Sequence, residues 1–122
     1  MVPFLVGEKN MNDPFYKTKR WEHLRASILK RDGYICQESK RYGRIVQANT
    51  VHHIFPREDF PEYQWQPWNL ISLSNEQHEA MHYRSGKELT DKGLDLVKRT
   101  ARKQGLDLDK ILGEKRKAQQ NQ

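Results

Sequence analysis

Four of the five histidines in this chain fall in two clusters, His52-His53 and His78-x-x-x-His82. His78 and His82 are four residues apart. That spacing advances an α-helix by just over one turn, so both imidazoles leave the same face and can grip one ion. Such a pair is common on helix surfaces, and it gains weight from the second cluster. His52 and His53 sit where an extended, β-branched stretch meets a loop. Successive side chains of a strand point to opposite faces, so these two rings do different jobs. One can join a set of metal ligands, while the other, with a pKa near neutrality, suits a general base. His23 stands alone and reads as a helix-surface residue.

The surrounding pattern supplies the elements that such a site needs. Asp13 and Pro14 signal a helix start, as cap and first helical residue. Phe15, Trp21, Leu24, Ile28 and Leu29 then recur at near-helical spacing, and Gly33 is a stop. From Tyr34 to Pro56 the pattern turns to short extended pieces. Tyr42-Gly43-Arg44 reads as a turn between them, and Arg44–Ile54 carries the β-branched content of a strand pair. PREDFPEYQWQP, residues 56–67, holds three prolines and reads as a surface loop. Ser74, with Gln77 three residues on, fits a capping box and predicts a helix from about Asn75 to about Arg84, ended by Ser85-Gly86. A further helix covers Thr90 to Gln104, with Leu94, Val97 and Ala101 on one face and Gly105 at its end. A weaker helix begins at Asp107, and the polar end GEKRKAQQNQ reads as disordered.

Charge and cysteine use narrow the function classes. A net charge of +6 favours a polyanionic partner, nucleic acid above all. Cys36 is the sole cysteine, which excludes an intramolecular disulfide and a cysteine-rich zinc site and leaves the thiol as a small buried hydrophobe. No apolar run reaches the length of a membrane span, and the patch in MVPFLVGEKN is too short for a signal peptide, so the expected setting is cytoplasmic.

VHHIFP, PWNLISLS and NEQHEAMH together resemble the signature of the HNH endonucleases. The three named positions would be His53, Asn69 and His78, separated by steps of 16 and 9 residues. RWEHLRASILKRDGYICQ also resembles small phage HNH proteins, often encoded beside the packaging terminase. The resemblance covers about residues 15–84. It implies an α+β, ββα-metal core with an N-terminal helix and C-terminal helices. It implies a site like that of the colicin-type nucleases, with His52, His78 and His82 holding one divalent cation and His53 as general base. Asn69 would hold His53 in register by bonding to the loop backbone. Arg57 and Arg84, close in sequence to the two clusters, are candidates to clamp the scissile phosphate.

An all-imidazole ligand set suits Zn, Ni, Cu and Co better than Mg, with Mn and Mg also open. Many members of the family add a structural zinc on two pairs of cysteines. Here the matching positions are Cys36, Ser39, Ser74 and Gln77, so no structural zinc is expected. The domain reading is a flexible arm over 1–12, a nuclease domain over 13–104 with its core at about 34–84, and a helical to disordered basic tail over 105–122. The implied activity is phosphodiester hydrolysis in DNA, by nicking or double-strand cleavage, with low sequence specificity and with phage terminase or portal proteins as possible associates. The chain would be a monomer or weak dimer. The alternative is a non-catalytic or partner-dependent DNA-binding protein that retains an HNH skeleton.

Overall fold

A computed structural model describes residues 13–84 and 88–120. The expected arm over 1–12 and the Ser85-Gly86 break lie outside them. The N-terminal helix comes in two parts. Asp13 caps a single 3₁₀ turn, Pro14–Lys17, by accepting from the Phe15 N–H at 2.9 Å. Thr18 then caps helix α1, Lys19–Arg31, by accepting from the Trp21 N–H at 3.1 Å. The chain bends at Thr18 because its backbone is extended, and this swings Phe15 and Tyr16 back beside Trp21.

The strand pair differs from the sequence expectation. Strand β1, Thr50–His53, pairs antiparallel with strand β2, Leu70–Leu73, across the proline-rich loop, with His52 opposite Ile71 and His53 opposite Leu70. The expected partner segment before it instead contains a short helix, α2, Gln37–Arg41. Its residues QESKR are good helix formers, whereas a strand buried on both faces needs an apolar partner, which LISL supplies. Ile35 and Gln47 keep an isolated bridge as a remnant of the expected pairing.

Each face of the strand pair packs on different helices. Val51 and Leu70 face α1, joining Trp21, Ile28 and Leu29 in one core cluster. Ile54 and Leu73 join the larger cluster built by helices α4, Asp91–Gln104, and α5, Leu108–Gln120. Helix α4 runs as the spacing indicates, capped by Thr90 and closed by Gly105 in the left-handed region. Helix α5 continues to Gln120, beyond the point where polar composition suggested order would end. Its first turns are anchored by buried Leu112, and further on Lys115 pairs with Glu62.

Helix α3, Asn75–Ala80, starts at Ser74, whose hydroxyl accepts from the Gln77 N–H at 3.2 Å. The helix is shorter than the pattern predicts, and His82 lies beyond its end. The cause is Thr90, whose hydroxyl donates to the Ala80 carbonyl at 2.6 Å and whose N–H donates to that of Met81 at 2.9 Å. With its last carbonyls taken, the chain turns, and His82 bridges to Leu89 instead of continuing the helix. None of the described helices is long and apolar enough to cross a membrane.

Candidate functional site

His52 and His53 leave β1 on opposite faces, as strand alternation requires. His52 is buried and meets the two histidines of the second cluster. Its ring centroid lies 5.3 Å from that of His78 and 5.4 Å from that of His82, and those two are 5.6 Å apart. The three rings therefore form a nearly equilateral set, although they come from a strand, a helix and the turn beyond it. All three contacts are edge-to-face. Among the described residues no group of three His, Cys, Asp or Glu side chains is placed so that it could hold a metal ion, so a shared ion would require these rings to reorient.

The spacing nevertheless fits a shared ion. A nitrogen ligand lies about 2.0–2.1 Å from a bound zinc, which in tetrahedral geometry puts the ring centroids roughly 5 Å apart.

His53 faces α1. Its ring stacks on that of Trp21 at 5.2 Å with an interplanar angle of 20°, and Phe15 and Tyr16 meet it edge-on at 5.6 and 6.3 Å. Its Nε2 lies 3.1 Å from the carbonyl oxygen of Gln64. A carbonyl only accepts, so Nε2 carries the proton, and the neutral ring keeps its lone pair at Nδ1.

Asn69 is fully buried and ties together the backbone around that ring. Its Oδ1 accepts from the Phe55 N–H at 2.7 Å, and its Nδ2 donates to the carbonyls of Phe55 and Tyr63, each at 3.2 Å. Phe55 lies two residues past His53, and Tyr63 precedes the Gln64 whose carbonyl holds His53. One side chain thus braces the strand that carries His53 and the loop that supplies its hydrogen-bond partner.

The two candidate arginines are placed differently from one another. Arg57 forms an ion pair with Asp13, and its guanidinium lies over the rings of Phe15, at 4.4 Å, and Tyr16, at 5.5 Å. It therefore stands beside the aromatic wall of His53 with its charge already engaged. Burial raises the Tyr16 phenol above its ordinary value, against the pull of the hydrogen bond and charge of Arg57. Arg84 is exposed, two residues past His82.

Sequence reasoning missed Trp21 and Gln64 as members of the site. Trp21 was legible only as an apolar residue at helical spacing, and a backbone carbonyl leaves no trace in residue identity.

The four positions where relatives carry zinc-binding cysteines also gather in part. Burial pushes the Cys36 thiol up, but hydrogen bonds from Ser39 and Ser74 outweigh it and lower the thiol below its ordinary value. Gln77 turns away, its amide oxygen accepting from the Lys92 ammonium.

Among solved structures, the chain is similar to the HNH endonuclease of the deep-sea thermophilic bacteriophage GVE2, crystallised with a manganese ion. The two share 32% sequence identity and a TM-score of 0.53 over 54% of this chain and 72% of that one. The chain belongs to the HNH endonuclease family. No family model matches the sequence, and no curated protein matches it significantly. The α+β fold, with an antiparallel strand pair followed by α3, is the ββα arrangement of the HNH endonucleases.

Proposed function

We propose that this protein is a metal-dependent DNA endonuclease that hydrolyses phosphodiester bonds. The observation that carries the reading is the division of labour at β1. His52 gathers with His78 and His82 at 5.3–5.6 Å, while the adjacent His53 is held in one tautomer on the other face. In this reading His52, His78 and His82 hold one divalent cation. Bound there, the cation supplies Lewis-acid stabilisation of the charge that grows on the leaving 3′ oxygen.

The remaining chemistry belongs to the chain itself. Nδ1 of His53 takes a proton from a water molecule, which attacks the phosphorus opposite the leaving group. The Gln64 carbonyl keeps the proton on Nε2 and so keeps Nδ1 basic. The aromatic wall of Phe15, Tyr16 and Trp21 fixes the ring plane, and Asn69 holds both supports of His53 in place. Arg84 is exposed and has no salt bridge among the described residues, so it can approach a phosphate; Arg57 does so only by exchanging its ion pair with Asp13.

The manganese in the similar phage enzyme supports a divalent cation here, and an all-imidazole donor set accepts Mn, Ni, Co, Zn or Mg with differing affinity. The phage source of that enzyme supports a role in phage DNA metabolism, with packaging by a terminase as the setting. We take residues 13–104 as the nuclease domain. The test is supercoiled plasmid incubated with metal-stripped protein, each cation being added separately, beside the His53→Ala variant. Metal-dependent conversion to open-circular or linear DNA by the wild type and not by the variant is expected. Retained DNA binding without conversion under any metal would favour a partner-dependent or purely DNA-binding protein.

A further inference from the structure

The turn that follows α2 exposes apolar and cationic groups together. Tyr42 is 63% exposed and Ile45 is 77% exposed, the two largest values for large hydrophobics among the described residues. Between them Gly43 adopts φ +81°, a conformation that costs glycine little and other residues more, so the turn is sharp and projects both side chains. Lys40, Arg41 and Arg44 are also exposed on this six-residue segment. Two cations approach the Tyr42 ring, the Arg41 guanidinium at 5.5 Å and the Lys92 ammonium at 5.6 Å.

Part of the charge here is not spent within the protein. Among the described residues Lys40, Arg44 and Lys92 form no salt bridge, while buried Glu38 is shared between Arg41 and Arg99 and Asp95 pairs with Arg99 and feels the charge of Arg41. A cleft of about 550 Å³ opens beside Arg41 and runs along α4 past Arg99 to Lys103, with the acids Asp32 and Glu38 also on its wall. Lys92 connects the turn to the nuclease site. Its ammonium also contacts Gln77, the residue before His78, so the turn stands beside the start of the helix that carries a histidine of the cluster.

We infer that the Lys40–Ile45 turn, together with Lys92, is a second DNA contact that grips duplex flanking the phosphate being cut. Unpaired cations neutralise phosphates, and an aromatic ring with an apolar tip contacts the sugars and groove wall between them. The inference deepens the nuclease reading by adding a substrate surface, and it is tested by binding, which stands whether or not the protein cleaves.

The experiment measures affinity of the full chain for a short duplex in EDTA across a salt series. It compares wild type with Lys40→Gln/Arg44→Gln, with Ile45→Ala, and with Lys110→Gln/Lys117→Gln on α5 as a charge-matched control. All replaced side chains are exposed, so thermal unfolding should be unchanged. The turn double variant is expected to bind roughly tenfold more weakly, and its slope of log affinity against log salt should shrink by about 1.8, or about 0.9 per lost phosphate contact. Ile45→Ala should weaken binding without changing the slope. On plasmid, the turn variants should raise KM and leave kcat intact. Equal losses in the turn and control variants would overturn the inference, since charge alone would then explain them. So would unchanged DNA affinity with lost binding to phosphatidylserine vesicles, which would assign the turn to a membrane. If no variant cleaves but the salt slopes differ as stated, the nuclease reading fails and the DNA contact stands.

Discussion

On one face of the β1–β2 pair, His52 meets two histidines delivered by α3 and the turn beyond it. On the other face, one residue along, His53 meets a wall of aromatic rings and a backbone carbonyl. The first environment brings three imidazole rings within 5.3–5.6 Å of one another. The second fixes one ring by stacking and fixes its tautomer by a hydrogen bond. In the proposed reading His52 is a metal ligand, which must adapt to the ion, and His53 a general base, which must hold one nitrogen in one direction. The pleat sends these adjacent residues of the same type to different neighbours.

The comparison breaks most sharply if the two histidines prove interchangeable. His53→Ala should lower kcat by on the order of 10²–10⁴, the usual contribution of a general base, and leave metal affinity measured by calorimetry unchanged. His78→Ala should instead weaken metal binding by more than the roughly 10–100-fold that loss of an outer supporting group costs. Equal metal loss in both variants would merge the two faces into one site.

Asn69 braces the His53 side alone, and its removal sharpens the contrast. Asn69→Ala strips partners from three backbone groups around Phe55 and Tyr63 in a fully buried place. Denaturant unfolding should show a loss of about 3 kcal/mol. Cleavage should fall while metal affinity of the folded protein holds.

The His52 side has its own brace at Gly93. A Cβ there would stand 2.5 Å from the backbone oxygen of Met81, the residue before His82. Gly93→Ala should push that segment away and cost about 2 kcal/mol by overpacking. It should also weaken metal binding, which Asn69→Ala should not. Ser74→Ala removes the cap of α3 and should cost about 1 kcal/mol in the same unfolding assay.

The smallest effect is alkaline. Tyr16 has its phenol raised above 10.0 by burial, against the pull of Arg57. Below that value both folded and unfolded chains keep the proton, so nothing changes. Above it the unfolded chain releases the proton first, and stability should fall as pH rises toward the folded value. Tyr16→Phe should flatten that decline in a thermal-melt series; an unchanged decline would show that the burial of the phenol does not matter.

Much of the site was legible in advance, for local reasons. The alternation at His52-His53 and the cap at Ser74 depend on backbone geometry within a few residues, whereas the i, i+4 spacing of His78 and His82 read as one helix face although His82 lies beyond the helix end. The family signature added Asn69. Legibility ended where partners are distant in the chain. The segment before β1 carries turn and β-branched signals, so it read as the strand partner. The actual partner, LISL, was chosen because only an apolar strand fits between two helical layers. Helix α3 read as reaching Arg84 because its composition permits it, yet Thr90 takes the carbonyls of Ala80 and Met81 and ends it early.

The sequence by itself determined the kinds of group available and their local spacing: four clustered histidines, Asn69 in the order of the signature between them, a net positive charge and a single cysteine. Only the tertiary structure decided which histidine meets which environment. It turned Trp21 and the Gln64 carbonyl onto His53, closed His82 onto His52 from beyond the helix end, and engaged Arg57 with Asp13. The physical reason is that covalent geometry sets the direction of a side chain over one turn or one pleat. What that side chain touches depends on packing between segments far apart in the chain.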